Sequence, residues 1–364
     1  MSKKLNKRRL GKAIKRLQNL PKGKNFILYA KNKAKHFFYK AIKSTKVTFP
    51  STVMLELTNI CNLHCTTCPR EYNFGKEMNK GVMKLEQAKK IIDEICPYID
   101  SIGLTGMGET LIFKEINEIV DYIQSKNKGI IISFSTNAVL PNFIEIVRPL
   151  VNKVATIQIS IDGLNEIYEK IRLNSKFEIL DKNLRELSNL CKNTSTELML
   201  NMVITKENYF QMPDLVSYSQ EVGVKYLNFT LFNLSAVTDI SLDYYDFYNS
   251  DEFLESLKKM EVTIKENPNV AISQWDYKSQ NGFRKCSYPW SHFYISWDGF
   301  IVPCCAKPFP KEFNFGNVFE EKFLTILNSE KFRNFRKIWF ENKTPNFCQK
   351  CNYIELKPIE EIKN

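Results

Sequence analysis

The sequence predicts an α/β fold built around a parallel sheet. Short runs of β-branched and aliphatic residues alternate with longer stretches whose apolar residues recur at helical spacing. The chain has 364 residues, of which 43% are hydrophobic and 25% charged, an ordinary globular composition. Disordered and fibrous classes are therefore excluded, and no apolar run approaches the roughly eighteen residues of a membrane span.

Six candidate strands are each separated by a helical pattern. The strands are 52–58, 101–105, 130–135, 155–161, 197–204 and 225–231, and the helices include 85–95, 112–125, 142–151, 179–191 and 213–222. Strands joined in this way pair in parallel through right-handed crossovers. Periodicity does not choose between an open sheet and a closed barrel. In either case we expect function where strands end and loops begin.

The rhythm changes after residue 235. Residues 236–283 are polar and aromatic with one helix near 252–265, and we interpret them as a linker. The runs 293–297 and 300–302 flank Asp298-Gly299, a hairpin signal, and a helix over 319–339 leads to the last cysteines. The sequence therefore predicts a small second module over 284–355.

The positive charge belongs to the N-terminal extension. Residues 1–46 hold 16 of the 52 Lys and Arg residues, and the first acidic residue is Glu56. The other 36 basic residues face 40 acidic ones, so the remainder carries about −4. The basic pI thus describes the extension alone, and nucleic acid is not an expected partner.

The extension has two amphipathic patterns. Apolar residues recur at helical spacing among the basic ones, at Leu10, Ala13, Ile14, Leu17 and Leu20 and again at Ala30, Ala34, Phe37, Phe38 and Ala41. Two interpretations stay open: contact with a membrane surface, or helices that pack their apolar stripe on the body with lysines outside. The chain start shows no apolar core followed by a cleavage site, which predicts a cytoplasmic protein.

Three of the ten cysteines follow the first strand directly. Cys61, Cys65 and Cys68 stand in the string LTNICNLHCTTCPR. In a chain of this size without a secretion signal, such spacing favours metal ligation over disulfides. Three thiolates are one short of a closed zinc site, which indicates a metal or cluster with one open position. A zinc site completed by His64 or a distant cysteine is the alternative.

This string resembles the cysteine motif of the radical S-adenosylmethionine (radical SAM) enzymes. Further landmarks end successive strands in that family's order, although Thr67 stands where many members have an aromatic residue and Thr110 where the turn usually has proline. The landmarks are Gly106, Gly108, Glu109, Asn137, Ser160, Asp162 and Arg172. The resemblance implies a partial (β/α)6 barrel over 50–235. It also implies a [4Fe-4S] cluster on the three cysteines, whose open iron binds S-adenosylmethionine near these landmarks.

Four more cysteines form a second group. Cys286, Cys304, Cys348 and Cys351 suffice to saturate another cluster. The strings WDGFIVPCC and FCQKC are similar to the SPASM or twitch module of radical SAM enzymes, which implies one auxiliary [4Fe-4S] cluster. Cys304 matches the family position better than Cys305. A zinc ribbon is the alternative.

The resemblance implies the chemistry. A reductant such as flavodoxin or ferredoxin supplies an electron, S-adenosylmethionine is cleaved, and the 5′-deoxyadenosyl radical abstracts hydrogen from a substrate. An auxiliary cluster that accepts a second electron makes the net reaction a two-electron oxidation, whereas a cluster that anchors the substrate or relays electrons belongs to a redox-neutral step; the sequence leaves both open. The substrate is a small molecule, a sugar or a peptide; no strand pattern of a leader-binding module occurs in the first fifty residues, which favours a small molecule. No catalytic acid or base is assigned. The alternative is a zinc-stabilised RNA- or membrane-binding protein without catalysis.

Overall fold

The computed structural model describes residues 10–11, 13–14, 16–17, 19–237, 239–273 and 286–355. Parts of three predicted segments lie outside this range: residues 1–9, 12, 15 and 18 of the extension, 238 and 274–283 of the linker and 284–285 of the second module. All the candidate site residues fall within it.

The fold centres on one large, mainly parallel sheet. Its strands run in the order β11-β10-β1-β3-β4-β5-β7-β8-β9, and only the hairpin pair β10–β11 is antiparallel. A second, two-stranded ribbon joins β2 and β6. The strands are β1 Thr52–Leu55, β2 His64–Cys65, β3 Ser101–Gly103, β4 Ile131–Thr136, β5 Thr156–Ser160, β6 Arg172–Leu173, β7 Glu197–Ile204, β8 Tyr226–Leu231, β9 Ala271–Ser273, β10 His292–Ile295 and β11 Ile301–Val302.

Helices connect the strands as the alternating pattern predicts. They are α1 Lys24–Ala41, α2 Asn73–Lys76, α3 Leu85–Ile95, α4 Ile116–Lys126, α5 Phe143–Val147, α6 Asn165–Ile171, α7 Phe177–Cys191, α8 Met212–Glu221, α9 Asp251–Glu266, α10 Tyr288–Ser291, α11 Phe323–Leu327, α12 Glu330–Phe340 and α13 Asn352–Glu355. The crossover helices bury one apolar face, as Ile91, Ile92 and Ile95 of α3 illustrate. The α/β class with a parallel sheet is therefore confirmed, and the sheet stays open at β9 and β11.

The two faces of the sheet differ in polarity. In β4, Ile132 and Phe134 are buried in the core, whereas Ser133 and Ser135 on the other face are half-buried. Polar pairs line that second face, such as the Gln158 amide donating to Ser135 Oγ over 3.2 Å. Such side chains need hydrogen-bond partners, so this face suits contact with a polar ligand.

Two expectations about the second half of the chain are wrong. The α/β rhythm does not stop at residue 235, because α9 leads to β9, which pairs in parallel with β8. The single helix expected over 319–339 is broken, since Ser329 accepts a hydrogen bond from the Phe332 amide and starts α12 as its N-cap.

Candidate active site

The first three cysteines lie on the loop that follows β1. The ribbon β2–β6 fixes this loop by pairing Cys65 with Arg172, and the Thr66 amide donates to the Ile171 carbonyl over 2.8 Å. The Cys68 amide in turn donates to the Cys65 carbonyl over 3.0 Å, which makes a tight turn. Two segments about a hundred residues apart thus hold the cysteines in place.

The three thiols lie within electrostatic range of one another. Burial is the main cause that raises the pKa of Cys65 to about 11 and that of Cys68 to about 12, and the neighbouring Cys61 contributes to both shifts. All ten cysteines are free thiols. Within the described ranges, no three His, Cys, Asp or Glu side chains are arranged around a single metal ion. The thiolates that hold a [4Fe-4S] cubane do not converge on one metal ion, because each thiolate binds a separate iron.

Two polar side chains reach the sulfurs. Arg172 Nη1 lies 3.7 Å from Cys65 Sγ, and Asn137 Nδ2 lies 3.8 Å from Cys61 Sγ. Asn137 Nδ2 also donates to Asn62 Oδ1 over 2.9 Å. Hydrogen bonds to thiolate sulfurs tune the potential of iron–sulfur clusters, so Asn137 and Arg172 are placed to do so.

Arg172 is held by a fully buried carboxylate. Its Nη2 lies 2.8 Å from Asp162 Oδ2, and Asp162 Oδ1 accepts the Val203 amide over 2.8 Å. Asp162 thereby connects the end of β5 to β7 and to the ribbon. The Nε atom of Arg172 is buried and has no hydrogen-bond partner among the described residues. A buried donor of this kind is suited to a ligand oxygen.

The glycine turn after β3 packs against the cysteine loop. A Cβ on Gly108 would lie 2.5 Å from the carbonyl oxygens of Thr58 and Ile60. The Glu109 amide donates to the Ile60 carbonyl over 2.9 Å, and Glu109 Oε2 accepts the Asn137 amide over 2.7 Å. Glu109 therefore acts as a brace between the turn, the cysteine loop and the end of β4.

The predicted residues do not all reach the cysteines. Gly108, Glu109, Asn137, Asp162 and Arg172 form one connected network with them, as the distances above show. Gly106 instead faces Glu56, whose Cγ would lie 2.3 Å from an added Cβ. Ser160 ends β5 opposite Asn201 and is half-buried; the hydrogen bonds described for this part of the chain do not join its hydroxyl to the cysteine loop.

Sequence reasoning missed Glu56. This residue follows β1, is fully buried and accepts hydrogen bonds from the Met107 amide, the Tyr294 hydroxyl and the Trp297 amide. Burial raises its pKa, and these three donors oppose that shift. A lone acidic residue in the apolar run TVMLELT was the signal that would have singled it out.

The second cysteine group also converges. Burial raises the pKa of Cys348, and Cys304, Cys286 and Cys351 raise it further, so the four thiols lie near one another. The Ala306 amide lies 3.3 Å from Cys304 Sγ and donates to it. Cys305 is equally buried, and a hydrogen bond with Cys304 lowers its pKa. Burial is the main cause that raises the pKa of Tyr353 to about 12, and four nearby thiols contribute to the shift, those of Cys351, Cys305, Cys304 and Cys286.

Cys351 of this group lies beside the carboxyl end of β8. Asn352 Nδ2 donates to the carbonyl of Leu231, the last residue of β8, over 3.2 Å, and Asn233 Nδ2 lies 3.8 Å from Cys351 Sγ. The Tyr245 hydroxyl donates to the Lys350 carbonyl over 2.7 Å. Because β1 and β8 belong to one parallel sheet, Cys351 lies at the end of the sheet where β1 leads into the first cysteine loop.

A parallel sheet with three cysteines after its first strand and a second cysteine module is the arrangement that the resemblance to radical SAM enzymes implies. The model of the radical SAM superfamily matches residues 55–218, and that of an iron-sulfur cluster-binding domain, SPASM, matches residues 286–352. The chain belongs to the radical SAM superfamily and carries a SPASM domain.

Named relatives extend over most of the chain. The antilisterial bacteriocin subtilosin biosynthesis protein AlbA of Bacillus subtilis is 24% identical over 88% of this chain and 68% of its own length. The tungsten-containing aldehyde ferredoxin oxidoreductase cofactor-modifying protein of Pyrococcus furiosus is 24% identical over 82% and 86%. The structure of Streptococcus suis SuiB bound to precursor peptide SuiA superposes with a TM-score of 0.65 at 16% identity, covering 92% of this chain and 77% of that one.

Family membership identifies the cofactors as S-adenosylmethionine and [4Fe-4S] clusters, including an auxiliary one. The residues present fit them. The loop after β1 offers three free thiols, and the unpartnered Nε of Arg172 is a donor suited to a carboxylate such as that of S-adenosylmethionine. The assignment of individual ligands stays a prediction.

Proposed function

We propose that this chain abstracts a hydrogen atom from a peptide and completes a two-electron oxidation of it. One observation carries the proposal: Cys351 of the second cysteine group lies beside the carboxyl end of β8, the end of the sheet at which the first group follows β1. When bound, the cluster on the first group supplies the electron, received from a flavodoxin or ferredoxin, that splits S-adenosylmethionine into methionine and the hydrogen-abstracting radical, and the auxiliary cluster supplies an acceptor for the second electron.

The residues of the chain hold and orient these groups. Cys61, Cys65 and Cys68 ligate the first cluster, and the Asp162–Arg172 pair places a guanidinium donor beside Cys65. Glu109 and Asn137 keep the glycine turn and the cysteine loop in a fixed relation. Because this network is buried, it needs no reorganisation when the cofactor binds, which favours a single productive geometry.

Cys286, Cys304, Cys348 and Cys351 ligate the auxiliary cluster in this proposal. Cys304 is preferred over Cys305 because it matches the family position better, and the Ala306 amide donates a hydrogen bond to its sulfur. Asn233 provides the corresponding donor to Cys351 from the loop after β8. This contact supports an auxiliary ligand near the carboxyl end of β8.

The names of the relatives support a peptide as the substrate. AlbA is a bacteriocin biosynthesis protein, and SuiB was crystallised with a precursor peptide. The half-buried polar face, with the pairs Gln158–Ser135 and Asn228–Asn201, is suited to hydrogen-bonding backbone amides. The Pyrococcus relative is named for modifying a cofactor, which makes a small molecule the competing outcome.

Iron and acid-labile sulfide per chain test the two clusters. After anaerobic reconstitution, we expect about eight irons in the wild type and about four after replacing Cys61, Cys65 and Cys68 by Ala. With dithionite and S-adenosylmethionine, the wild type should form 5′-deoxyadenosine and the triple variant should not. A protein with one or two zinc ions, little iron and no 5′-deoxyadenosine would disprove the enzyme function.

A protease treatment tests the substrate class. Extract of the source cells is filtered to below about 10 kDa, divided, and one half is digested with a protease that is then removed. We expect the untreated fraction to stimulate 5′-deoxyadenosine formation and digestion to abolish the effect. Stimulation that survives digestion would disprove a peptide substrate and favour a sugar or other small molecule.

A further inference from the structure

The helix α1 attaches to the sheet through polar side chains. Its inward face carries Leu28, Tyr29, Asn32, Lys33, His36 and Tyr39, which are buried or half-buried. Asn32 Nδ2 donates to the Phe49 carbonyl over 2.9 Å, and Asn32 Oδ1 accepts the Phe49 amide over 3.1 Å. Asn32, Tyr29 and Lys33 therefore hold this face through hydrogen bonds, and Leu28 is its aliphatic side chain.

Asp100 is the main anchor of the extension. It accepts hydrogen bonds from Arg16 Nε over 3.0 Å, the Tyr29 hydroxyl over 2.7 Å and Lys33 Nζ over 2.5 Å. The Arg16 guanidinium also stacks over the Tyr29 ring at 4.8 Å. Both amphipathic stretches thus use basic and polar residues to hold the body of the protein.

The apolar residues of the extension face outward instead. Leu17, Phe37 and Phe38 are 65%, 69% and 59% exposed. Of the seventeen large hydrophobic side chains exposed in the described part of the chain, eight fall within residues 10–42. The interpretation that these stretches pack their apolar stripe on the body is therefore wrong. A cluster of this kind marks an interaction surface rather than ordinary surface variation.

The positive charge of this surface favours an anionic partner. Exposed lysines, including Lys24, Lys31, Lys35 and Lys40, lie among the exposed apolar side chains of α1, and no acidic residue precedes Glu56. Beside the end of α1 lies a cavity of about 440 Å³ whose lining includes Lys43, Lys46 and Trp290 and no acidic residue. Exposed aromatic residues ringed by lysines complement an anionic lipid surface.

We propose that the described residues between positions 10 and 46 form a peripheral membrane-binding surface for anionic bilayers. The apolar side chains of α1 enter the interface, and the lysines contact lipid phosphates. Asn32 and Asp100 bind α1 to the segments just before β1 and β3, at the amino ends of the strands. The first cysteine group follows the carboxyl end of β1, so the bound protein presents that loop away from the bilayer.

None of the helices described here is long and apolar enough to cross a membrane. The proposal concerns surface binding alone.

Vesicle sedimentation tests this proposal on the full-length, reconstituted protein. We expect binding to vesicles of phosphatidylcholine with 30% phosphatidylglycerol, weak binding to pure phosphatidylcholine, and weakening by salt. Replacing Phe37 and Phe38 by Ser, or Lys31 and Lys35 by Glu, should lower the partition coefficient by roughly tenfold or more. The matched control replaces Ile179 and Phe210, which are 47% and 49% exposed elsewhere, by Ser and should bind like the wild type.

Iron content and 5′-deoxyadenosine formation should be unchanged in all three variants, since none of these residues belongs to the catalytic site. This readout separates a failure of membrane binding from a failure of the enzyme function. The proposal would be overturned if the wild type did not bind anionic vesicles, or if the control variant lost as much vesicle binding as the other two. It would also be overturned if the exposed phenylalanines mediated self-association or RNA binding instead.

Discussion

The Tyr294 hydroxyl donates a hydrogen bond of 2.7 Å to Oε1 of the fully buried Glu56. Glu56 follows the strand that precedes the cysteine loop, and Tyr294 belongs to β10, which leads into the SPASM hairpin. The same carboxylate accepts the Met107 amide from the glycine turn. One buried side chain therefore connects the cysteine strand, the turn and the SPASM domain.

Tyr294→Phe should destabilise this junction. Removing the hydroxyl leaves a buried carboxylate with one donor fewer, which costs about 1–3 kcal/mol. The urea midpoint, measured anaerobically, should fall accordingly. Tyr122→Phe is the matched control, because its hydroxyl donates to the exposed Asp93 and its loss should change stability by well under 1 kcal/mol. Equal midpoints for both variants would contradict the role of Glu56.

Gly108→Ala should impair the cysteine loop. The new Cβ would meet backbone atoms of residues 58–60 at 2.5–2.7 Å, and backbone cannot move aside as a flexible side chain does. We expect iron per chain to fall by up to about four, because one cluster site is displaced. Gly103→Ala is the control, since its nearest neighbour would be Met54 Cγ at 3.6 Å. Full iron in the Gly108 variant would refute this close packing.

Arg172→Ala should be strongly destabilising. It leaves Asp162 fully buried without its ion pair, which costs about 3–5 kcal/mol. The free energy of unfolding and the iron of the first cluster should both fall. The exposed Arg185, which pairs with Asp181 and Glu221, provides the comparison, and its replacement by Ala should cost about 1 kcal/mol or less.

Separate Ala variants should distinguish the neighbouring cysteines. Cys304→Ala removes the sulfur that accepts the Ala306 amide, and we expect a loss of about four irons. Cys305→Ala should keep both clusters. The reverse pattern in iron and sulfide analysis would reassign the ligand to Cys305.

Asp100 predicts a pH dependence for the attachment of α1. Burial opposes its ionisation, but hydrogen bonds from Lys33 and Tyr29 outweigh that effect and hold its pKa below the usual 3.8. A lowered carboxyl pKa contributes stability above 3.8 that is lost as the pH falls through the folded-state value. Hydrogen exchange in α1, corrected for intrinsic rates, should therefore stay slow to about pH 4 and accelerate below it. Asp100→Asn should accelerate exchange at pH 7, whereas Asp93→Asn should not.

Local patterns in the sequence predict the parallel sheet well. Strand and helix periodicity locate β3, β4, β5, β7 and β8 to within about two residues. The cysteines and the strand-end landmarks Glu109, Asn137, Asp162 and Arg172 are found by spacing and resemblance, and the structure joins them in one network. These features are local, or follow directly from the order of the strands.

The features that were missed depend on contacts between distant segments. The orientation of α1 depends on Asp100, which lies 67 residues after Lys33. The roles of Glu56 and Tyr294 arise only when β10 pairs with β1. Their pairing partners stand far away in the chain, and periodicity carries no information about such partners. The pattern of α1 gives its amphipathic character but not which face meets the body.

The pairing of β1 with β10 also constrains how the chain is made. His292 lies 240 residues after its partner Thr52. At a synthesis rate of about 5–20 residues per second, the edge of β1 waits roughly 12 to 48 seconds for the strand that covers it. An uncovered parallel edge invites aggregation during that interval. The strand that covers β1 therefore belongs to the SPASM domain, which begins at residue 286. Fragments that end before residue 295 lack this strand, and their yield of soluble protein should depend on chaperones.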